Sequence, residues 1–128
     1  RFLGWDPFFN SGVAFSLPVP WWATVVFTVP VLAVIAHHML RIAYPVSRIP
    51  YRVPGDHVQW GTGYGLRVAG PAFIFAGALS NLIDRLLYHV TVDYFLILTA
   101  VINVADCLIV VGFLVYLMAM RSGQENKL

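Results

Sequence analysis

Three apolar stretches, each close to the roughly 20 residues that a helix needs to cross the hydrocarbon core of a bilayer, decide what this chain can fold into. In lipid every backbone polar group must find its partner inside the protein, so such stretches fold as helices. The first runs from Trp21 to Leu40, with Trp21 and Trp22 as interfacial anchors and Pro30 as a site for a kink. The second runs from Leu66 to Leu86. The third, Tyr94 to Met120, is 27 residues long, more than one upright helix needs, and part of it is expected not to be helical.

Composition agrees with this reading. Of the 128 residues 59% are apolar and 11% charged, whereas about a quarter of a soluble domain is charged. The length allows one domain, residues 1–128. A net charge of +2, scattered along the chain, excludes a nucleic-acid partner. The single Cys107 excludes a disulfide framework or a cysteine-rich metal site. Nothing resembles a cleavable signal peptide, and because the chain starts at Arg1, further residues are expected upstream.

Between the first two spans lies a Pro-, Gly- and Arg-rich segment that is not expected to be regular. Its Arg41, Arg48 and Arg52, with Arg67 at the next span, place residues 41–65 in the cytoplasm by the positive-inside rule. Counting the spans as 21–40, 66–86 and 101–120 puts the tail 121–128, with Arg121 and Lys127, on the same side. Residues 1–20 and the connection Leu87–Asp93 then face outward.

A charge inside the bilayer costs at least about 2.5–3.5 kcal/mol on insertion scales, so acids there are functional candidates. Asp84 ends the second span, Asp93 lies just beyond it, and Asp106 lies within the third stretch. All three belong near the outer interface. Two of them repeat a pattern, Asn81-Leu-Ile-Asp84 and Asn103-Val-Ala-Asp106, and residues three apart on a helix face the same way, so each Asn can orient its acid. Arg85 can neutralise a carboxylate. The residues leave two readings open: a polar clasp that holds helices together, or a site in which the acids do chemistry.

Geometry bears on the choice. On one straight helix the 13 residues from Asp93 to Asp106 would separate the acids by roughly 20 Å. If Tyr94 to Ala100 folds back, with the span beginning near Val101, Asp93 comes within reach of Asp106. Two carboxylates that close share a proton, and one can activate water while the other protonates the scissile group. Such a peptide hydrolase needs no metal or cofactor. The adjacent His37 and His38 point to different helix faces, towards the cytoplasmic end, and are not expected to bind a metal.

Other features read as structural. Gly61-Thr-Gly-Tyr-Gly65 lacks the Lys-Ser/Thr of a phosphate loop and reads as a flexible turn. Ala72, Ala76 and Ser80, spaced by four, suggest a close helix contact. Cys107 reads as packing rather than as a nucleophile. His89, in the outer connection, is a candidate to tune the acids.

"GALSNLIDRL", then "TVDYF", then "INVADCLIVVG", preceded by "FNSGVAFSL", resemble lipoprotein signal peptidase, also called signal peptidase II. The resemblance covers Phe9 to Gly112. It implies an all-α transmembrane helical bundle, four helices in the family and three in this chain, with a small extracytoplasmic β-cradle near the N-terminus. By motif position Asp93 and Asp106 resemble the catalytic dyad. Asn10 and Gly12 resemble site residues of the cradle, and Asn81, Asp84, Arg85 and Asn103 resemble residues that bind substrate backbone or support the dyad. Ser80 stands where the family usually has glycine, Ala76-Gly77 where it has two glycines, and the Asp93–Asp106 interval is shorter than usual.

The resulting expectation is a monomeric aspartic endopeptidase of the bacterial cytoplasmic membrane, with its active site near the outer face. Its partners are lipidated prolipoprotein signal peptides, cut before the lipid-modified cysteine, and membrane lipids. The alternatives are a proton relay or transporter using the same acids, and a catalytically inactive relative.

Overall fold

The structure is a computed structural model that describes residues 7–11, 18–47, 62–97 and 100–125. It contains helices α1 (Trp21–Ser47), α2 (Thr62–Tyr88) and α3 (Val104–Glu125), and short strands β1 (Phe8–Asn10), β2 (Thr91–Asp93), β3 (Phe95–Ile97) and β4 (Ala100–Ile102). Each helix carries an apolar window able to cross a membrane: Trp21–Ile42, Gly65–Tyr88 and Val104–Arg121. The shortest, 18 residues, spans about 27 Å at 1.5 Å per residue. No more than 22% of any window is buried within the protein, and Phe27, Val34, Phe113 and Met118 all face outward. Exposed apolar area on this scale suits lipid, not water.

The helices outrun the stretches read from hydropathy. α1 continues past Leu40 to Ser47, and α2 begins at Thr62, so Arg41–Ser47 and Thr62–Gly65 are helical where the sequence suggested irregular chain and a turn. Apolarity reports the length in lipid, while backbone hydrogen bonding carries a helix on into the interface. α3, in contrast, starts at Val104 rather than Val101, because Val101 and Ile102 belong to β4.

α2 packs against both other helices, most extensively against α3. The close contact is made by glycines. A methyl group on Gly70 would lie 2.8 Å from Tyr116 Cβ and 2.9 Å from the Gly112 carbonyl oxygen, and one on Gly112 would lie 2.7 Å from the Gly70 carbonyl oxygen. On Gly77 it would run into the Ala105 carbonyl and lie 2.8 Å from Ile109 Cγ1. Gly70, Ile74, Gly77 and Asn81 recur every three to four residues and so form one helix face. The row Ala72, Ala76 and Ser80 is not that contact: Ala76 and Ser80 are exposed and Ala72 is half-buried. Two residues, or about 200° of helical rotation, separate Gly70 from Ala72, which turns that row away from α3.

At the end of the bundle where α1 begins and α2 ends, the chain adds β-structure. His89 takes a left-handed conformation, φ 61°, and its N–H donates to the Arg85 carbonyl at 3.1 Å. This is the usual way to close a helix C-terminus, although glycine is the common residue there. The His89 ring packs on Trp21, centroids 4.3 Å apart, joining the start of α1 to the end of α2. Beyond it β2 pairs antiparallel with β1, Phe8 opposite Asp93 and Asn10 opposite Thr91. β3 and β4 form an antiparallel hairpin, Phe95 opposite Ile102, and the Tyr94 N–H donates to the Ile102 carbonyl at 3.0 Å. The surplus of the third apolar stretch is therefore a β-hairpin that folds back on itself.

Gly77→Ala forces α2 and α3 apart, whereas a methyl group on Gly65 would meet nothing within 4 Å, so that position accepts alanine freely. Thermal unfolding in detergent is expected to show Gly77→Ala destabilised by about 1–3 kcal/mol and Gly65→Ala unchanged or slightly stabilised.

Candidate active site

The site begins with how α3 starts. Asn103 caps the helix: its Oδ1 accepts from the Asp106 N–H at 2.8 Å, and its own N–H donates to Asp106 Oδ2 at 3.3 Å. This reciprocal pair is a capping box with Asn and Asp in place of the commoner Ser/Thr and Glu. The cap fixes both where the helix begins and how the Asp106 carboxylate is turned.

The Asn103 side-chain amide reaches further. Its Nδ2 donates to Asp93 Oδ1 at 2.9 Å and to Asn81 Oδ1 at 2.9 Å. Asn81 Nδ2 donates in turn to Asp106 Oδ1 at 2.9 Å, and Asn10 Nδ2 donates to Asp93 Oδ2 at 3.0 Å. Both carboxylates are thus held on both oxygens, by asparagines from β1, α2 and the α3 cap. Arg85 Nη1 donates to the Asn81 carbonyl at 3.3 Å.

These residues surround a cavity of about 260 Å³. Asn10, Asn81, Arg85, Thr91, Asp93 and Asp106 supply its polar lining, and Val101, Ile102, Ile109 and Val110 its apolar walls. Asp93 is 1% exposed. Its pKa is raised above the ordinary carboxyl value by burial and by the nearby Asp106 charge, against the opposing effects of the Asn10 and Asn103 amides and of Arg85. A buried carboxyl next to a second acid holds its proton more firmly.

Asn10, Asn81, Arg85, Asp93, Asn103 and Asp106, six of the candidates read from the sequence, come together here. Asp84 does not line the cavity; it is half-buried on α2, where its charge acts on Arg85. Gly12 lies outside the described residues. The local Asn-to-Asp pairing expected for Asn81 and Asp84 gives way to a pairing across helices, since the Asn81 amide serves Asp106 and Asn103. Glycine packing brings α2 and α3 close enough for it. His89 packs on Trp21 rather than against the acids. His37 accepts from Arg41 Nε at 3.1 Å and His38 contacts the Tyr116 hydroxyl at 3.3 Å, both outside the site. Thr91 is not conspicuous by residue type; its position two before Asp93 points to it only once the segment is known to be a strand.

Residues 1–121 match the family model described as signal peptidase (SPase) II. The chain belongs to the signal peptidase II family. It is 36% identical over 109 residues to a lipoprotein signal peptidase of Mesorhizobium japonicum, covering 81% of this chain and 55% of that protein. To the lipoprotein signal peptidase of Sinorhizobium fredii it is 38% identical over 111 residues, covering 81% and 56%. The chain therefore spans just over half the length of these curated relatives. A solved bacterial membrane enzyme, determined by the in meso method at 2.3 Å resolution, superposes with a TM-score of 0.65 at 21% identity, over 99% of this chain and 70% of that one. That likeness is one of fold. All six polar groups gathered around the cavity and its cap lie within the part that matches signal peptidase II.

Two outcomes follow from the geometry. Because the folded-state pKa of Asp93 is raised, the folded protein binds this proton more tightly than the unfolded chain does. The stability it contributes is complete below the unfolded carboxyl pKa of about 3.9 and is lost as pH rises through the folded value. Asp93→Asn is expected to remove that loss, so unfolding midpoints followed across pH should fall less steeply towards neutrality than in the native chain. Asn103→Ala removes the helix cap and leaves the Asp93 carboxylate and the Asn81 amide oxygen each short of a donor. It is expected to destabilise the protein by about 2 kcal/mol or more in thermal unfolding.

Proposed function

We propose that the chain is a membrane aspartic endopeptidase that removes signal peptides from prolipoproteins, cutting before the lipid-modified cysteine. The observation that carries this reading is the single Asn103 amide and cap that hold Asp93 and Asp106 together at one cavity. Membership of the signal peptidase II family supports it, as do relatives named lipoprotein signal peptidase.

In this mechanism Asp93 carries the proton, in keeping with its raised pKa, and Asp106 serves as the base. Water lies between the dyad and the scissile carbonyl. Asp106 takes a proton from the water as its oxygen attacks the carbonyl carbon, and Asp93 gives its proton to the carbonyl oxygen. In the resulting tetrahedral diol, Asp106 returns its proton to the leaving nitrogen while Asp93 takes back the hydroxyl proton. The C–N bond breaks, leaving a new carboxyl and a free amine on the cysteine. Asn10, Asn81 and Asn103 keep the two carboxyls oriented through these transfers, and Arg85 offsets negative charge.

The placement fits an embedded substrate. By charge asymmetry the cavity belongs near the outer face of the bacterial cytoplasmic membrane, with residues 1–20 outside and 41–65 and 121–128 in the cytoplasm. The walls formed by Ile109 and Val110 suit a signal peptide that arrives within the bilayer. Residues 1–128 belong to one peptidase domain, and the protein acts as a monomer.

The test is cleavage of a lipidated prolipoprotein peptide in detergent or lipid. The native protein is expected to cleave it, and Asp93→Asn and Asp106→Asn are each expected to lower the rate by about 10²–10⁴-fold while still inserting and folding. Retention of most activity by either variant would overturn the dyad, and proton flux in vesicles without cleavage would point to a relay instead.

A further inference from the structure

Thr91 occupies the same face of β2 as Asp93, because side chains two apart on a strand point the same way. Both are buried, 3% and 1% exposed, and both line the cavity. Directly across the sheet from Thr91 is Asn10, whose amide donates to Asp93. Yet the Thr91 hydroxyl is buried without a hydrogen-bond partner among the described residues. A buried hydroxyl left in this state opposes folding, and valine fills the same space without that cost. Every other polar side chain that lines the cavity makes at least one contact that holds the site together; the Thr91 hydroxyl makes none.

We propose that Thr91 is a substrate-binding residue whose hydroxyl hydrogen-bonds the backbone of the extended peptide entering the cavity beside Asp93. This deepens the peptidase reading and rests on it. A peptide backbone is the fitting ligand class: it offers both carbonyl acceptors and N–H donors, and a hydroxyl can serve either. Rotation about χ1 carries the hydroxyl between staggered positions, so it can meet the ligand with β2 unmoved. The substrate then supplies the partner that the described residues do not, and stability given up at Thr91 returns as binding.

The experiment compares native protein, Thr91→Val and Thr91→Ser in steady-state cleavage of a lipidated prolipoprotein peptide and in thermal unfolding. Thr91→Val is expected to lose about tenfold in kcat/KM, mainly through KM, while melting no lower than the native chain. Thr91→Ser, which keeps the hydroxyl, is expected to recover most of the loss. Near-native KM and kcat in Thr91→Val would overturn the proposal. A lowered melting temperature with the activity loss would also overturn it, by making the hydroxyl structural. Absence of cleavage by the native protein is a different result, since it would remove the peptidase reading and this assignment together.

Discussion

One asparagine holds the architecture of the site. Asn103 sits where the β-hairpin ends and α3 begins, and its backbone and side chain each act in two directions. Moving the helix start by one residue would break the capping box with Asp106 and withdraw the amide from Asp93 and Asn81. Helix α3 can therefore begin only at Val104, and the acid at its third position can face only the cavity. A neutral cap with two amide protons and a carbonyl is suited to this place, since a Ser or Asp cap could hold Asp106 but could not donate twice to Asp93 and Asn81.

The network is possible because α2 and α3 approach closely enough for Asn81 to reach Asp106. Between helices in lipid there is little hydrophobic drive, so contact rests on packing and on hydrogen bonds. Gly70, Gly77 and Gly112 provide the first, and Asn81 to Asp106 and Asn103 the second. The two depend on each other: the glycine face sets the helix separation, and the amide network sets the register. The polar clasp and the proposed chemical site, alternatives in the sequence, draw on the same set of atoms.

The spans, both acids and the need for a foldback are legible in the sequence, because each follows from local pattern: apolar length, the cost of charge in lipid, and 27 residues where about 20 suffice. What is not legible depends on which faces meet. Ala72, Ala76 and Ser80 have the spacing of a helix contact, but only tertiary packing selects the Gly70–Gly77 face. Asn81 has a local acid at Asp84, and it bonds a distant one because α3 is nearer to that amide. The helix ends at Ser47 and Thr62 escape hydropathy, which stops at the bilayer while hydrogen bonding does not. β1 is three residues long and pairs with a strand more than eighty residues away, so no local pattern could announce it.

The short Asp93–Asp106 interval is sufficient because a hairpin, not a helix, fills it. With Phe95 opposite Ile102, the residues just before the hairpin and the residue just after it emerge side by side at its base. Asp93 leaves one strand as Asn103 leaves the other, and the Asn103–Asp93 bond continues the pairing where the Tyr94–Ile102 backbone bond ends. The distance between the acids is then set by the base of the hairpin and is independent of its length. A change in hairpin length would leave the two acids in place, provided the register holds. A slip of one residue would turn alternate side chains to the opposite face and take Asn103 away from Asp93, so the constraint on this segment is one of register rather than of length.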